Sequence, residues 1–194
     1  GCMAQKDQDS GYKKAPHVDL FLGTSKANEL EQFLGDHQAA DPFVFTSADG
    51  ARPSTIKRNR AVSAWIPIMY GCNKWCTYCI VPKVRGPERS RSLDDILSEV
   101  RELAESGYKE LTLLGQNVNS YGLDLPDGQG LFAHLLESIA AVPGIERIRF
   151  MTSHHKDMDE ATLDVMAKHS NICNHLHLPV QSGSDELLKR MNRG

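Results

Sequence analysis

The sequence lacks any apolar run that approaches the roughly 20 residues of a membrane-spanning helix, and it has no internal repeat or low-complexity tract. A membrane span is therefore excluded, and no membrane partner is predicted. With 194 residues, of which 40% are hydrophobic, the composition predicts one or two soluble domains in the cytoplasm. The chain opens on Gly1 instead of Met and stops inside an apparent helix, so we expect a fragment of a longer protein and leave a lost leader sequence open.

Cysteine is scarce and unevenly placed. Of five cysteines, Cys72, Cys76 and Cys79 lie within eight positions, whereas Cys2 and Cys173 are isolated. This distribution suits metal ligation in a reducing compartment better than a disulfide framework. A second CxxC-type pair is missing, which disfavours a four-ligand structural zinc site. Three thiolates at CxxxCxxC spacing can instead hold three corners of an iron–sulfur cube and leave the fourth iron open to an outside molecule.

Other interpretations of the clustered cysteines stay open: zinc, free thiols, or the buried face of a helix, since positions i, i+4 and i+7 share one side of a helix. The segment is a poor helix, because it contains Gly71, Asn73, Thr77 and Pro82. The spacing therefore favours a ligand loop. Cys173 opens a predicted strand and is interpreted as a small hydrophobic residue.

Acidic residues are nearly absent from one stretch. Residues 52–91 contain nine Lys or Arg and only Glu88 as an acid, which leaves nine minus one, or +8, against −11 for the rest of a chain with net charge −3. Such a run is often only a solvated face. Because it brackets the cysteines, it also predicts attraction of phosphates, of RNA or another polyanion, to the reactive centre.

From about Ile56 onward, short apolar runs alternate with amphipathic helices, a pattern typical of parallel βα units. We predict four strands, at 61–70, Glu110–Leu114, Arg147–Met151 and Asn174–Leu178, and helices beginning near Leu93, Leu131, Asp159 and Ser184. Ser92, Asp159 and Ser184 are predicted N-caps, with Asp95 completing a capping box, and Pro67 is predicted at a sheet edge or strand end. Because the carboxyl ends of parallel strands share an edge, one site should combine four segments: Cys72–Cys79, Gly115–Asn119, Thr152–His155 and Pro179–Ser182.

Residues 1 to about 55 have a different pattern. A helix is predicted around Cys2–Lys6, a buried strand within His17–Thr24 and a helix at Lys26–Leu34. The stretch Ala48–Arg60, rich in Gly, Pro, Ser and Arg, is the predicted linker. We therefore expect two domains, residues 1–55 and 56–194.

Several motifs carry a family resemblance. They are GCMAQ at 1–5, GCNKWCTYCI at 71–80, VPKVRGPERSRS at 81–92, LLGQNVNSYG at 113–122, MTSH at 151–154 and LHLPVQSGSDELLKRMNRG at 176–194. The chain resembles the radical S-adenosylmethionine (radical SAM) superfamily and, within it, the tRNA branch of the methylthiotransferases, the tRNA-2-methylthio-dimethylallyladenosine synthases. GQNVNSYG favours that branch over the one acting on a ribosomal protein. The other alternative is a non-catalytic zinc or nucleic-acid-binding module.

The resemblance implies an α/β fold: a partial parallel (β/α) barrel of the radical SAM type, with about four of six units, preceded by the C-terminal part of an α/β methylthiotransferase N-terminal domain. It also implies an enzyme that inserts a methylthio group at carbon two of a hypermodified adenosine in the tRNA anticodon stem-loop. The implied cofactors are two [4Fe-4S] clusters and S-adenosylmethionine, with a low-potential electron donor. The fragment alone is expected to be inactive.

The resemblance also assigns residues. Cys72, Cys76 and Cys79 would hold the radical SAM cluster, and Cys2 would be the last of three cysteines of an auxiliary cluster whose other two lie upstream. The predicted cofactor-binding residues are Gln116, Asn117, Gln181 and Ser182. Gln116 stands where many relatives have a glutamate, which weakens that assignment because an amide lacks the charge; a plain turn at Gln116 and helix entry at Ser182 are the alternatives. The predicted RNA contacts are Arg85, Arg89 and Arg91, with solvated surface or structural ion pairs as the alternative.

The histidines receive no metal role. His175 and His177 share a predicted strand face and are interpreted as core histidines. His154 and His155 lie at a strand end near the predicted site. The related family usually has proline where this chain has His155, and no role is assigned to it.

Overall fold

A computed structural model describes residues 1–7, 9–18, 20–24, 43–44, 62–126 and 131–193. At the amino end, helices α1 (Cys2–Asp7) and α2 (Asp9–Lys14) precede two short strands, β1 (Phe21–Leu22) and β2 (Phe43–Val44), which pair in parallel. The helix predicted around Cys2–Lys6 is confirmed, and the strand predicted within His17–Thr24 is reduced to β1. The predicted helix Lys26–Leu34 and linker Ala48–Arg60 lie outside the described residues.

The remainder alternates strands with helices. The strands are β3 (Ser63–Pro67), β4 (Met69–Tyr70), β5 (Arg89–Ser90), β6 (Glu110–Leu114) and β7 (Arg147–Phe150). The α-helices are α3 (Val81–Arg85), α4 (Leu93–Glu105), α5 (Phe132–Ala140), α6 (Glu160–Lys168) and α7 (Asp185–Arg190). Short 3-10 turns occupy Val118–Ser120 and His155–Asp157.

The main sheet has the order β3–β6–β7, with both strand pairs parallel. In register, Ala64, Leu111 and Ile148 are adjacent, and all three are buried. Helices α4 and α5 add buried leucine, isoleucine and valine side chains to the same core, including Ile96, Val100, Leu135 and Ile139. The predicted parallel βα pattern is thus confirmed, and the core sits between the sheet and these helices.

Local sequence signals predict where several helices begin and where one strand ends. The side chains of Ser92, Asp159 and Ser184 accept hydrogen bonds from the backbone N–H groups of Asp95, Thr162 and Leu187, which confirms three predicted N-caps. The carboxylate of Asp95 binds Arg91, so the capping box is only half formed. Pro67 is the last residue of β3, which lies at an edge of the described sheet, as its missing N–H requires.

The predicted fourth strand, Asn174–Leu178, is not formed. This part of the chain pairs with β7 only through a single parallel bridge between Ile148 and Ile172. Thr152 has φ of 66°, which takes the chain after β7 out of the extended conformation and breaks the ladder. The described parallel sheet therefore has three strands instead of four, although α7 follows where the fourth helix was predicted.

Within the ranges that the structure describes, no helix has the length and apolar character that crossing a bilayer requires.

Candidate metal centre

The three clustered cysteines lie in the loop 71–80, between β4 and α3. Gly71 has φ of 73°, and a Cβ built on it would lie 1.9 Å from the carbonyl oxygen of Pro87, so no other residue fits there. The N–H of Cys72 donates to the carbonyl of Gly86 at 3.1 Å. The segment is not helical, which excludes the buried helical face as the reason for the cysteine spacing.

The cysteine thiols share one partly buried space. Cys72 and Cys76 are buried and Cys79 is half-buried. Burial raises the pKa of the Cys72 thiol, the N–H of Lys74 lowers it by donating to Cys72 Sγ at 3.4 Å, and the negative charges of Glu88, Cys79 and Cys76 raise it further. The thiols are therefore close enough to act on one another electrostatically.

This donor set fits a multi-iron cluster better than a single ion. Among the described residues, no three His, Cys, Asp or Glu side chains converge as ligands for one metal ion. Around a tetrahedral zinc, all four ligands bind the same atom. In an iron–sulfur cube each thiolate binds a different iron, so its ligands stand farther apart. Three free cysteines in one loop supply the number of thiolates that a cube with one open iron needs, which matches the second case.

A polar chain links the cysteine loop to the loops after β6 and β7. Lys74 Nζ lies 2.7 Å from Asp157 Oδ1, and Asn117 Nδ2 donates to Asp157 Oδ2 at 2.6 Å. Asn117 is 1% exposed, and its Oδ1 is buried without a hydrogen-bond partner among the described residues. Such an acceptor is costly unless a ligand satisfies it. Asn117 is therefore the best supported of the predicted cofactor-binding residues.

Residues near the chain end hold the other side of the cysteine loop. Arg193 is buried, and its Nη1 lies 3.5 Å from Cys76 Sγ and 3.3 Å from the hydroxyl of Tyr78. Its Nη2 donates to the carbonyl of Pro179. The neighbouring residues contribute backbone contacts: Asn192 Nδ2 donates to the carbonyl of Trp75, and the N–H of Thr77 donates to the carbonyl of Met191.

The four segments predicted to share one site do meet. Lys74 and Asn117 join the first two segments through Asp157, and Arg193 joins the cysteine loop to Pro179. The hydroxyl of Thr152 donates to the carbonyl of Gly115 at 2.7 Å. Polar contacts thus connect these segments at the carboxyl edge of the sheet, beside the cysteine loop.

In the described part of the chain, the other predicted cofactor-binding residues have no buried polar atom that lacks a partner. Gln116 is half-buried, and its Nε2 donates to the carbonyl of Gly115 at 3.5 Å. Gln181 is exposed, with φ of 68°. The Ser182 hydroxyl accepts from the N–H of Ser184 at 3.1 Å, which is the helix-entry role named as its alternative.

The three arginines predicted to contact RNA differ in environment. Arg85 is exposed at the end of α3, and Arg89 is half-buried in β5. Arg91 is buried, forms ion pairs with Asp95 and Glu99 at 2.7 and 2.8 Å, and donates to the carbonyl of Pro67. All of these contacts are internal to the protein. The environment of Arg91 therefore matches the alternative to RNA contact, a structural ion pair.

The core interpretation of His175 and His177 is wrong, because both are exposed. His177 Nδ1 instead accepts from the N–H of Thr152. His154, by contrast, is buried, and it stacks on His155 with ring centroids 4.7 Å apart. Burial, followed by the positive charge of Arg193 and the charge of His155, lowers the pKa of His154 to about 4.

Cys2 is half-buried at the start of α1, which packs against α3, the helix directly after the cysteine loop. The hydroxyl of Thr24 also donates to the carbonyl of Val84 in α3, at 2.8 Å. The amino-terminal segment therefore touches the core beside the cysteine loop.

Sequence reasoning missed three polar residues of the site, Lys74, Asp157 and Arg193, and it placed His154 near the site without a role. Lys74 was counted only as part of a basic run, and Arg193 only as part of a motif. A charged residue within two positions of a cysteine ligand could have drawn attention to Lys74. The contact between Arg193 and Cys76 spans 117 residues and has no local signal.

Comparison with known proteins adds a family. The family model described as Radical SAM superfamily matches residues 66–194. The chain is 46% identical over 200 residues to a protein of Desulforamulus reducens and 49% identical over 199 residues to one of Acetivibrio thermocellus, both named tRNA-2-methylthio-N(6)-dimethylallyladenosine synthase. Each match covers 100% of this chain but only 44% and 41% of those relatives, so the chain spans less than half their length.

Solved structures agree on the fold. The cobalamin-dependent S-adenosylmethionine radical enzyme OxsB matches with a TM-score of 0.58 at 14% identity, over 100% of this chain and 32% of its own. The radical S-adenosylmethionine methyltransferase TsrM from Kitasatospora setae matches with a TM-score of 0.51 at 20% identity, over 66% of this chain and 24% of its own. These likenesses confirm the predicted partial barrel and carry no statement on activity.

Proposed function

The chain belongs to the Radical SAM superfamily, and we propose that it forms part of a tRNA methylthiotransferase that modifies carbon two of a hypermodified adenosine beside the anticodon. The relatives named above support the substrate class, since their shared name specifies this product. The observation that carries the proposal is the loop with three free cysteines at the carboxyl edge of a parallel sheet.

In this proposal, Cys72, Cys76 and Cys79 hold a [4Fe-4S] cluster whose fourth iron takes S-adenosylmethionine. When reduced and bound to S-adenosylmethionine, such a cluster would supply the reductive cleavage that allows a hydrogen atom to be removed from the adenine carbon. The protein fixes the geometry around it. The Gly71 turn sets where the loop begins, the N–H of Lys74 donates to the Cys72 sulfur, and burial of Cys72 and Cys76 limits access of water and oxygen.

The polar residues at the carboxyl edge of the sheet suggest how the cofactor would be contacted. Asn117 Oδ1, buried without a partner in the described structure, would accept a hydrogen bond from the methionyl amine of S-adenosylmethionine. Asp157 keeps that amide oriented by binding its Nδ2. Gln116, Gln181 and Ser182 remain weaker candidates for the ribose and methionyl groups.

The proposal also includes the auxiliary cluster and the contacts with tRNA. Cys2 is proposed as one ligand of a second [4Fe-4S] cluster that supplies sulfur, and the packing of α1 on α3 supports its nearness to the cysteine loop. Arg85 and Arg89 are retained as phosphate contacts. A low-potential electron donor and a cytoplasmic location complete the proposal.

Replacing Cys76 with alanine tests the cluster assignment in the full-length protein, purified without oxygen. We expect loss of the visible iron–sulfur absorption of this cluster and of S-adenosylmethionine cleavage, because two thiolates cannot hold the cube. Cys173→Ala is the control, since Cys173 is a half-buried free cysteine that lies outside the loop. Equal iron and equal cleavage in Cys76→Ala and Cys173→Ala would overturn the assignment.

A further inference from the structure

A tripeptide far along the chain, Met191–Arg193, contacts the cysteine loop. Met191, Asn192 and Arg193 contact Thr77, Trp75 and Cys76, respectively, and the Arg193 contact spans 117 residues. Asn192 has φ of 52°, so the backbone turns sharply just before Arg193 and directs its side chain to the loop. Arg193 is the one member of the tripeptide that brings a charge.

The charge of Arg193 has no acidic partner among the described residues. Within the described ranges, no carboxylate lies within ion-pair distance of the Arg193 guanidinium, and its Nε is buried without a hydrogen-bond partner. A buried cation without a counter-charge is strongly unfavourable. The groups that face it are the Cys76 sulfur, the Tyr78 hydroxyl and the carbonyl of Pro179. Of these, the Cys76 sulfur gains negative charge when the thiol becomes a cluster ligand.

A cation beside a cluster ligand has a defined electrostatic effect. The N–H groups and the positive charge stabilise the thiolate, and they stabilise the reduced cluster more than the oxidised one, because reduction adds negative charge. Hydrogen bonds to cluster sulfurs and local net charge are among the factors that set reduction potentials. The contact at Cys76 supplies both.

We propose that Arg193 is a positioning residue that holds the middle cysteine ligand and, by its charge, raises the reduction potential of the cluster bound at Cys72, Cys76 and Cys79. The inference rests on the proposed function, because it requires a cluster at those cysteines. It adds a residue that neither the cysteine motif nor the family match assigns. When the cluster is bound, its cysteine ligands would in turn supply the counter-charge that Arg193 lacks among the described residues.

The test is a redox titration of the full-length protein followed by electron paramagnetic resonance. Arg193→Met should shift the midpoint potential of this cluster to more negative values, whereas Arg193→Lys should retain most of the wild-type potential. Arg190→Met is the matched control, since Arg190 lies three residues away, is 71% exposed and pairs with Glu186. It should leave the potential unchanged.

Each outcome decides the question. A wild-type potential in Arg193→Met would overturn the inference while the proposed function stands. Absence of any iron–sulfur signal from this site in the wild-type protein would overturn the proposed function itself. If Arg193→Met is folded by circular dichroism but assembles no cluster, assembly in Arg193→Lys supports the role of the charge, and failure of both variants reduces Arg193 to a packing role and overturns the inference.

Discussion

Two regions of the molecule each bury an arginine to the same extent, since Arg91 and Arg193 are both 7% exposed. At the amino end of α4, Arg91 meets two carboxylates, those of Asp95 and Glu99, and a backbone carbonyl. At the cysteine loop, Arg193 meets a sulfur, a phenol hydroxyl and a carbonyl, with no acidic side chain from the described residues.

The difference separates a structural charge from a site charge. Around Arg91 the network already contains more negative than positive charge, so no attraction is left for an external anion. Around Arg193 no acidic side chain among the described residues balances the positive charge, which leaves it available to a charged group bound at the cysteines. The two arginines are equally buried but have different partners. We therefore expect Arg91 to contribute to stability and Arg193 to act in the candidate centre.

The largest effect on stability is expected from Arg91→Met. It removes the ion pair of Arg91 with the carboxylate of Glu99, which is 1% exposed. We expect the free energy of unfolding to fall by about 3–5 kcal/mol, the usual cost of breaking a buried ion pair from one side. Urea denaturation of the metal-free protein measures it. Arg193→Met should lower the free energy of unfolding by clearly less, because it removes no ion pair with a carboxylate among the described residues. Equal losses of stability in the two variants would contradict the distinction between the two arginines.

A titration can sharpen the comparison further. The pKa of His154 is lowered to about 4, first by burial and next by the charge of Arg193. Arg193→Met should therefore raise the pKa of His154, although burial keeps it below the ordinary 6.5. Arg91→Met should not move it. Nuclear magnetic resonance of the histidine ring protons in metal-free protein provides the reading, and an unchanged value in Arg193→Met would place its charge too far from His154 to matter.

A smaller effect is expected at Tyr121, whose buried hydroxyl donates to the carbonyl of Arg91 at 2.8 Å. Burial raises the pKa of Tyr121 to about 12, so the hydroxyl keeps its proton at neutral pH. Tyr121→Phe should lower the free energy of unfolding by about 1 kcal/mol, the net value of one hydrogen bond. Tyr78→Phe is the control, because that ring is 55% exposed beside Arg193 and water can replace its contact. A loss in Tyr78→Phe as large as in Tyr121→Phe would contradict this account.

The sequence predicted what depends on nearby residues. The cysteine loop and the caps at Ser92, Asp159 and Ser184 are set by spacings of a few positions, and the structure contains them. The missing fourth strand depends on the left-handed conformation of Thr152, which no sequence pattern marks. The environments of Arg91 and Arg193 depend on which groups the fold brings to them, across 117 residues in the case of Cys76, so no local pattern distinguishes the two arginines.

The central claim is that three thiolates hold a cluster with one iron open to S-adenosylmethionine. Electron–nuclear double resonance on the reduced full-length protein, with S-adenosylmethionine carrying a nitrogen-15 amine, tests it most directly. A hyperfine coupling between the cluster and the labelled nitrogen, present in Cys173→Ala and absent in Cys76→Ala, is the predicted result. A reduced cluster that shows no coupling to the label in the wild-type protein, or a colourless protein containing zinc, would contradict the account.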